Sequence, residues 1–355
     1  MVIRRAGVWA LSAIVFALTL EVSLRVEDRI RWDAPLVGLY SHDAMFVTDS
    51  MGWHPRPGAR FEKWSINNFG FRGPDISREK PAGVLRVAVL GSSEAFGQAE
   101  RAGSEFPRAL ERELNGRDPS RFEVVNAAIP GMPVARMPGY WDQWVRDFDF
   151  DVVVVYPSPS FYLAVEAPPD SFHVPPPAAA PRDASRLVAD SRAVVNGFLP
   201  ESVQAVLKRY VIWRAVREAP EGWVWTEVPP DRLALYSRHN TELVDALRAD
   251  GVSVVLATHA DAIERPLDDT ERILLTGWRK FQPRAMPEVI LDFEVAANQA
   301  LVESGQRDGV TVVRLDELIP ADRTLFSDDQ HFTDAGAQAV AAALVDAVYS
   351  AAVSR

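Results

Sequence analysis

The 355-residue chain carries 49 acidic against 38 basic residues, a formal net charge of −11, and no cysteine. A phosphate backbone attracts the opposite sign, so the balance argues against nucleic-acid binding. Disulfides, thiolate nucleophiles and cysteine-ligated metals are excluded. With 48% hydrophobic and 25% charged residues, the composition is that of a folded chain, long enough for one large domain with an appendage or for two ordinary ones.

At the N-terminus, Arg4 and Arg5 precede an apolar run over residues 6–20, followed by Glu21, Val22, Ser23, Leu24 and Arg25. Extended through Leu24, the run reaches about the 20 residues needed to span hydrocarbon. No small-x-small cleavage signal and no lipoprotein cysteine follow it. The reading is a retained signal anchor over residues 1–25. Arg4 and Arg5 should stay cytoplasmic, so the catalytic domain is expected to be extracytoplasmic, in the periplasm or at the cell surface. Residues 26–80 are rich in turn formers, among them Gly52, Pro55, Pro57, Gly58, Gly70, Gly73 and Pro74. They predict a juxtamembrane segment of short strands and loops that packs on the main domain.

From 81 to 350 the pattern becomes regular. Strands are predicted at 84–90, 122–125, 151–156, 252–257 and 310–313, the third with four consecutive valines that mark burial on both faces. Helices are predicted at 105–114, 232–250 (stopped by Gly251) and 293–304. A final alanine-rich helix, capped by Thr333, runs to about residue 348. It is read as sheet cover, since Asp346 interrupts it. Alternating strands and helices imply a parallel sheet covered on both faces, a flavodoxin-like three-layer α/β/α sandwich with five strands. Residues 164–230 interrupt the alternation with Pro168-Pro169 and Pro175-Pro176-Pro177, and read as a lid or substrate-binding insertion.

Two motifs carry chemistry. Gly91-Ser92-Ser93-Glu94-Ala95-Phe96-Gly97 follows the first strand, where a tight turn exposes the Ser93 hydroxyl and sets its N–H at a helix start. Asp328-Asp329-Gln330-His331 precedes the last helix, and supplies a base for the serine proton and a carboxylate to orient that base. Each is weak alone. Together they give the order Ser, Asp, His. An α/β-hydrolase elbow would need a second glycine where Ala95 stands.

The turn from Gly91 to Gly97, the segment Asn126-Ala127-Ala128-Ile129-Pro130-Gly131 and the stretch from Asp328 to Gly336 resemble the first, second and fifth blocks of the SGNH/GDSL hydrolases. The lead-in Asn67-Asn68-Phe69-Gly70-Phe71-Arg72-Gly73 resembles that of membrane-anchored bacterial members. The likeness spans roughly residues 45–350, with a divergent middle third. It implies Ser93 as nucleophile, His331 as base, Asp328 as its orienting acid, and Gly131 as a backbone donor to the oxyanion hole beside the Ser93 N–H. It implies no metal or cofactor. Two blocks depart from the family. Ser92 replaces the usual Asp. In the third block, Ser158, Ser160 and Phe161 stand where the family has Gly, Asn and Asp, so Ser160 is the candidate to replace the asparagine donor.

The remaining histidines and tryptophans are assigned structural roles. His259 sits after a strand, and His42, His54, His173 and His239 lack metal-ligand spacing. Trp223 and Trp225 are read as packing aromatics rather than sugar- or lipid-stacking ones, and Trp141 and Trp144 as one buried helix face. Three functions stay open: hydrolysis of an acyl ester, O-acyl transfer to a surface polysaccharide, and a non-catalytic envelope scaffold. The implied partners are an acyl-ester substrate, such as a carbohydrate ester or surface polysaccharide, and a membrane.

Overall fold

Apolar β-branched runs settle into strands where both faces of a sheet can be covered. The computed structural model describes residues 2–32, 36–37, 45–49, 52–61, 63–166, 168 and 201–354. Five such strands, β1 (Leu85–Gly91), β2 (Phe122–Asn126), β3 (Val152–Tyr156), β4 (Ser253–Ala257) and β5 (Val310–Val313), form one parallel sheet in the order β2-β1-β3-β4-β5. All five residues of β3, at the centre, are buried. The edge strand β5 has a single buried residue, Val313.

Among the described residues the longer helices are α1 (Val2–Trp32), α2 (Phe106–Arg117), α3 (Glu201–Arg217), α4 (Pro230–Ala249), α5 (Asp269–Arg279), α6 (Pro287–Ser304) and α7 (Asp334–Val353). α2 and α7 pack on one another and on the sheet, while α4 and α6 form the second layer. α2 turns Phe106, Ala109, Leu110 and Leu114 inward at helical spacing. α7 buries Val340, Ala341, Leu344, Val345 and Val348, so this apolar helix covers the sheet as expected. Full burial of each such Val or Leu contributes roughly 1.5–3 kcal/mol. The result is the expected flavodoxin-like sandwich, whose strand order reverses at β1.

The structure extends and adds to the expected elements. α1 continues past residue 25 to Trp32, with Arg25 Nε 2.6 Å from the Glu21 carboxylate one turn back. Its apolar stretch Gly7–Ile30 spans 24 residues and its most apolar window has no buried residue. α4 and α6 each start earlier than expected, at a proline in the first turn, where the missing N–H costs nothing. α3 lies inside the expected insertion; its Pro169 and Pro175-Pro176-Pro177 fall outside the described residues. Trp141 is buried and Trp144 half-buried against the same core, in a π-helical turn (Trp141–Val145). Trp141 Nε1 donates to Asp250 at 2.6 Å, while Trp144 stacks on His54 with ring centroids 4.2 Å apart. Trp225 and Trp223 both lie under the Arg284 guanidinium, 4.0 and 5.6 Å from it. Between residues 46 and 65, antiparallel hairpins pair Phe46–Asp49 with Gly52–Pro55 and Arg60–Phe61 with Trp64–Ser65.

Candidate active site

β1 ends at the point where the strand order reverses, and Gly91 turns the chain there. A Cβ on Gly91 would come 2.5 Å from the Ala95 Cβ and 2.8 Å from the Tyr156 carbonyl oxygen, so a larger residue would push the turn open. Ser93 begins a single helical turn (Ser93–Phe96), closed by Gly97 at a φ of 83°. The carbonyls at the end of this turn have buried partners. Asn126 Nδ2 donates to Ala95 O (3.1 Å) and Phe96 O (3.3 Å), and Arg72 Nη1 donates to Phe96 O (2.5 Å) and to Gly97 O. Arg72 is anchored in turn: its N–H donates to Asn126 O at 3.0 Å. Asn67 Oδ1 shapes the bend before it, accepting the N–H groups of Phe69 and Phe71. The lead-in and the segment around Asn126 therefore act as one clamp on the turn that carries Ser93.

The second motif arrives on the loop before α7. Ser327 closes it by donating its N–H to His331 O at 2.7 Å. Asp328 Oδ1 accepts the N–H groups of Gln330 (3.0 Å) and His331 (2.8 Å), while its Oδ2 lies 2.7 Å from His331 Nδ1. His331 Nε2 is 2.9 Å from Ser93 Oγ, a contact between residues 238 positions apart. With Nδ1–H donated to the carboxylate, the neutral ring turns its Nε2 lone pair to the Ser93 hydroxyl. Burial disfavours the imidazolium, but the hydrogen bond to Asp328 and the charges of Glu94, Asp328 and Asp329 outweigh it and hold the His331 pKa up at about 9. Burial pushes the Asp328 carboxyl up, yet His331 and the two N–H donors bring it below its ordinary value.

A second carboxylate lies beside Ser93. Ser93 Oγ is 3.2 Å from Glu94 Oε2, which is buried. Glu94 Oε1 accepts the Ser158 hydroxyl at 2.9 Å and sits 3.4 Å from His259 Nε2. His259 Nδ1 is 2.9 Å from Glu294 Oε2, an ion-pair distance without hydrogen-bond alignment. Asn298 fixes the His259 backbone through two bonds of 2.8 Å. Burial disfavours every charge here, but mutual attraction prevails: Glu94 is lowered to about 2 and His259 raised to about 10. The result is a carboxylate–imidazolium–carboxylate row beneath Ser93. Sequence reasoning gave Glu94 no role; the available signal was a charged residue directly after the serine in an otherwise apolar turn.

The oxyanion candidates differ in availability. The Ser93 N–H opens a helical turn, where backbone donors have no intrahelical acceptor. Gly131 (φ 79°) donates its N–H to Ser92 Oγ at 3.1 Å, so Ser92, in place of an aspartate, touches the oxyanion candidate rather than the proton relay. Ser160 is buried, its carbonyl accepts from Gln282 Nε2 at 3.4 Å, and its hydroxyl makes no hydrogen bond among the described residues. Ser158, not Ser160, is the serine that touches Glu94.

No protein-family model and no curated protein matches the chain. Among solved structures it is similar to a lipase from a goat rumen metagenome (TM-score 0.46, 11% identity, covering 75% of this chain and 98% of that one). It is also similar to a lipase/acylhydrolase from Enterococcus faecalis (0.44, 12%, 75% and 96%). A third is an acetyl xylan esterase from Geobacillus stearothermophilus (0.41, 14%, 76% and 96%).

Proposed function

We propose that the chain is a membrane-anchored serine esterase of the SGNH/GDSL type, acting through Ser93, His331 and Asp328. The observation that carries this reading is the continuous Asp328–His331–Ser93 hydrogen-bond chain, with links of 2.7 and 2.9 Å. Ser93 Oγ attacks the acyl carbonyl carbon as its proton passes to His331 Nε2. The tetrahedral oxyanion is held by the N–H groups of Ser93 and Gly131, with the Ser160 hydroxyl as the third donor; the Gly131 N–H must then turn from Ser92 Oγ to the oxyanion. Collapse expels the alcohol, which takes the proton from His331. Water, deprotonated by the same nitrogen, then releases the acid and frees Ser93. Asp328 keeps the imidazole in the tautomer that the first step needs.

α1 serves as the anchor, and its apolar stretch is long enough to span a bilayer. The test is covalent labelling of the detergent-solubilised full chain with a fluorophosphonate. Labelling at Ser93, lost in Ser93→Ala and His331→Ala, is the expected result. A folded wild-type protein that does not label would overturn the esterase reading.

A further inference from the structure

A cleft of about 510 Å³ lies between α3 and α5, within the roughly 300–1,000 Å³ of small-molecule sites. Its floor is apolar: Ile212 and Leu275 are buried, and Val216 and Trp213 continue the surface towards solvent. Its polar lining is of one sign. Arg209, Arg217, Arg272 and Arg279 line it together with no carboxylate, in a chain whose net charge is −11. None of these four guanidinium groups lies within ion-pair distance of a carboxylate among the described residues. Arg217 instead rests 5.1 Å over the Trp213 ring, and Arg279 Nε donates to Ala285 O at 2.9 Å. Glu288 acts on Arg279 from outside the cleft lining, and four guanidinium groups converging on an apolar trough without a carboxylate in its lining are arranged for a ligand that is itself both anionic and apolar.

The helices of the cleft, though not its lining, also approach the loop that carries Asp328 and His331. One residue beyond Thr276 in the cleft wall, Gly277 faces Asp329: a Cβ there would lie 3.9 Å from Asp329 Oδ1 and 3.2 Å from Lys208 Nζ of α3. Asp329 adjoins Asp328 and is tied to the body of the domain by the Ala262 N–H at 3.0 Å. The two helices that form the cleft thus meet beside the loop that carries the acid and the base. On α3, Val206, Leu207 and Tyr210 are exposed, which leaves this side of the domain apolar towards its surroundings.

The geometry points to the α3–α5 cleft as the binding site for a single-chain anionic amphiphile, its alkyl chain on the Ile212–Leu275 floor and its phosphate on the arginine rim. This deepens the esterase reading and rests on it for the conclusion that such a lipid is the substrate, drawn from the bilayer that holds α1. Binding itself does not depend on catalysis. The experiment uses full-length Ser93→Ala protein in phosphatidylcholine nanodiscs, titrated calorimetrically with dodecyl phosphate, octyl phosphate and dodecylphosphocholine, with empty discs subtracted.

Each methylene buried on the floor adds about fourfold in affinity, so octyl phosphate should bind more than tenfold more weakly than dodecyl phosphate. The zwitterionic headgroup should weaken binding about tenfold, as should reversing the two exposed rim charges together (Arg209→Glu with Arg272→Glu). Equal binding of the two headgroups, equal binding of the two chain lengths, or unchanged binding by the double variant would each overturn the assignment. Because the readout is binding to a protein without its nucleophile, such a failure leaves the esterase reading intact. Failed labelling of Ser93 would equally leave the cleft assignment intact.

Discussion

Two histidines approach the Ser93–Glu94 pair from opposite sides, and each has a carboxylate behind it. His331, on the loop before α7, retains 15% side-chain exposure and its Asp328 partner 46%. His259, at the end of β4, has none, and its partners Glu94 and Glu294 have 1% and 3%. The chemistry of the pairs is alike, yet access separates their uses. The half-open pair can exchange a proton with substrate and solvent, as a general base must. The closed pair is sealed from solvent, and its charges, held up to a pH of about 10, lie beneath Ser93. Two histidine–carboxylate pairs in one site are therefore told apart by burial, not by residue type.

The largest effects should come from breaking the open pair. Ser93→Ala or His331→Ala should lower kcat for an activated ester by about 10⁴-fold or more, and the double variant should fall no further than either single one. Steady-state hydrolysis of a p-nitrophenyl ester measures this, and additive losses would mean that the two groups do not act as a unit. Breaking the closed pair should strike stability instead. His259→Gln leaves Glu94 and Glu294 buried without a counter-charge, which costs about 3–5 kcal/mol in urea unfolding. The matched change His331→Gln should cost about 1 kcal/mol. Equal losses would erase the distinction drawn from burial.

Removal of the Ser160 hydroxyl comes next. Ser160→Ala should reduce kcat by about 10²-fold with KM little changed, as for loss of one oxyanion donor, and an unaltered kcat would remove Ser160 from the hole. The smallest effect couples the pairs. The base must be unprotonated to act, so kcat/KM should rise with pH through about 9, where His331 loses its proton. The Glu94 charge raises that value, so Glu94→Gln should move the rising limb to lower pH. An unmoved limb would show that Glu94 does not act on the base. The closed pair also predicts a stability profile. His259 is raised from an unfolded value near 6.5 to about 10. Its contribution is then complete below pH 6.5 and disappears as pH rises through about 10.

Much of the fold was legible because its signals are local. The run of valines in β3, Gly251 after α4 and Thr333 before α7 each act within a few residues of themselves. α3 was not legible. Its apolar residues, Val203, Val206, Leu207, Val211 and Ile212 among them, are spread around the helix and form no inward stripe at helical spacing, and most are exposed. α5 carried a readable signal that went unused, the capping box of Asp268 and Glu271. For the site, the two motifs named Ser93, Asp328 and His331, which the fold links by contacts of 2.7 Å between Asp328 and His331 and 2.9 Å between His331 and Ser93.

What the sequence by itself determined was the alternation of strand and helix, the apolar N-terminal stretch, and the tight turn and loop that carry the serine, acid and base. Those depend on periodicity, glycine and capping, which are properties of neighbours along the chain. Only the tertiary structure decided that Glu94 lies beneath the serine with His259 and Glu294, that Ser92 occupies the Gly131 N–H, and that four arginines meet over one apolar cleft. The partners in each case are distant in sequence. Their charges and hydrogen bonds take on meaning only when packing removes water and leaves one partner within reach.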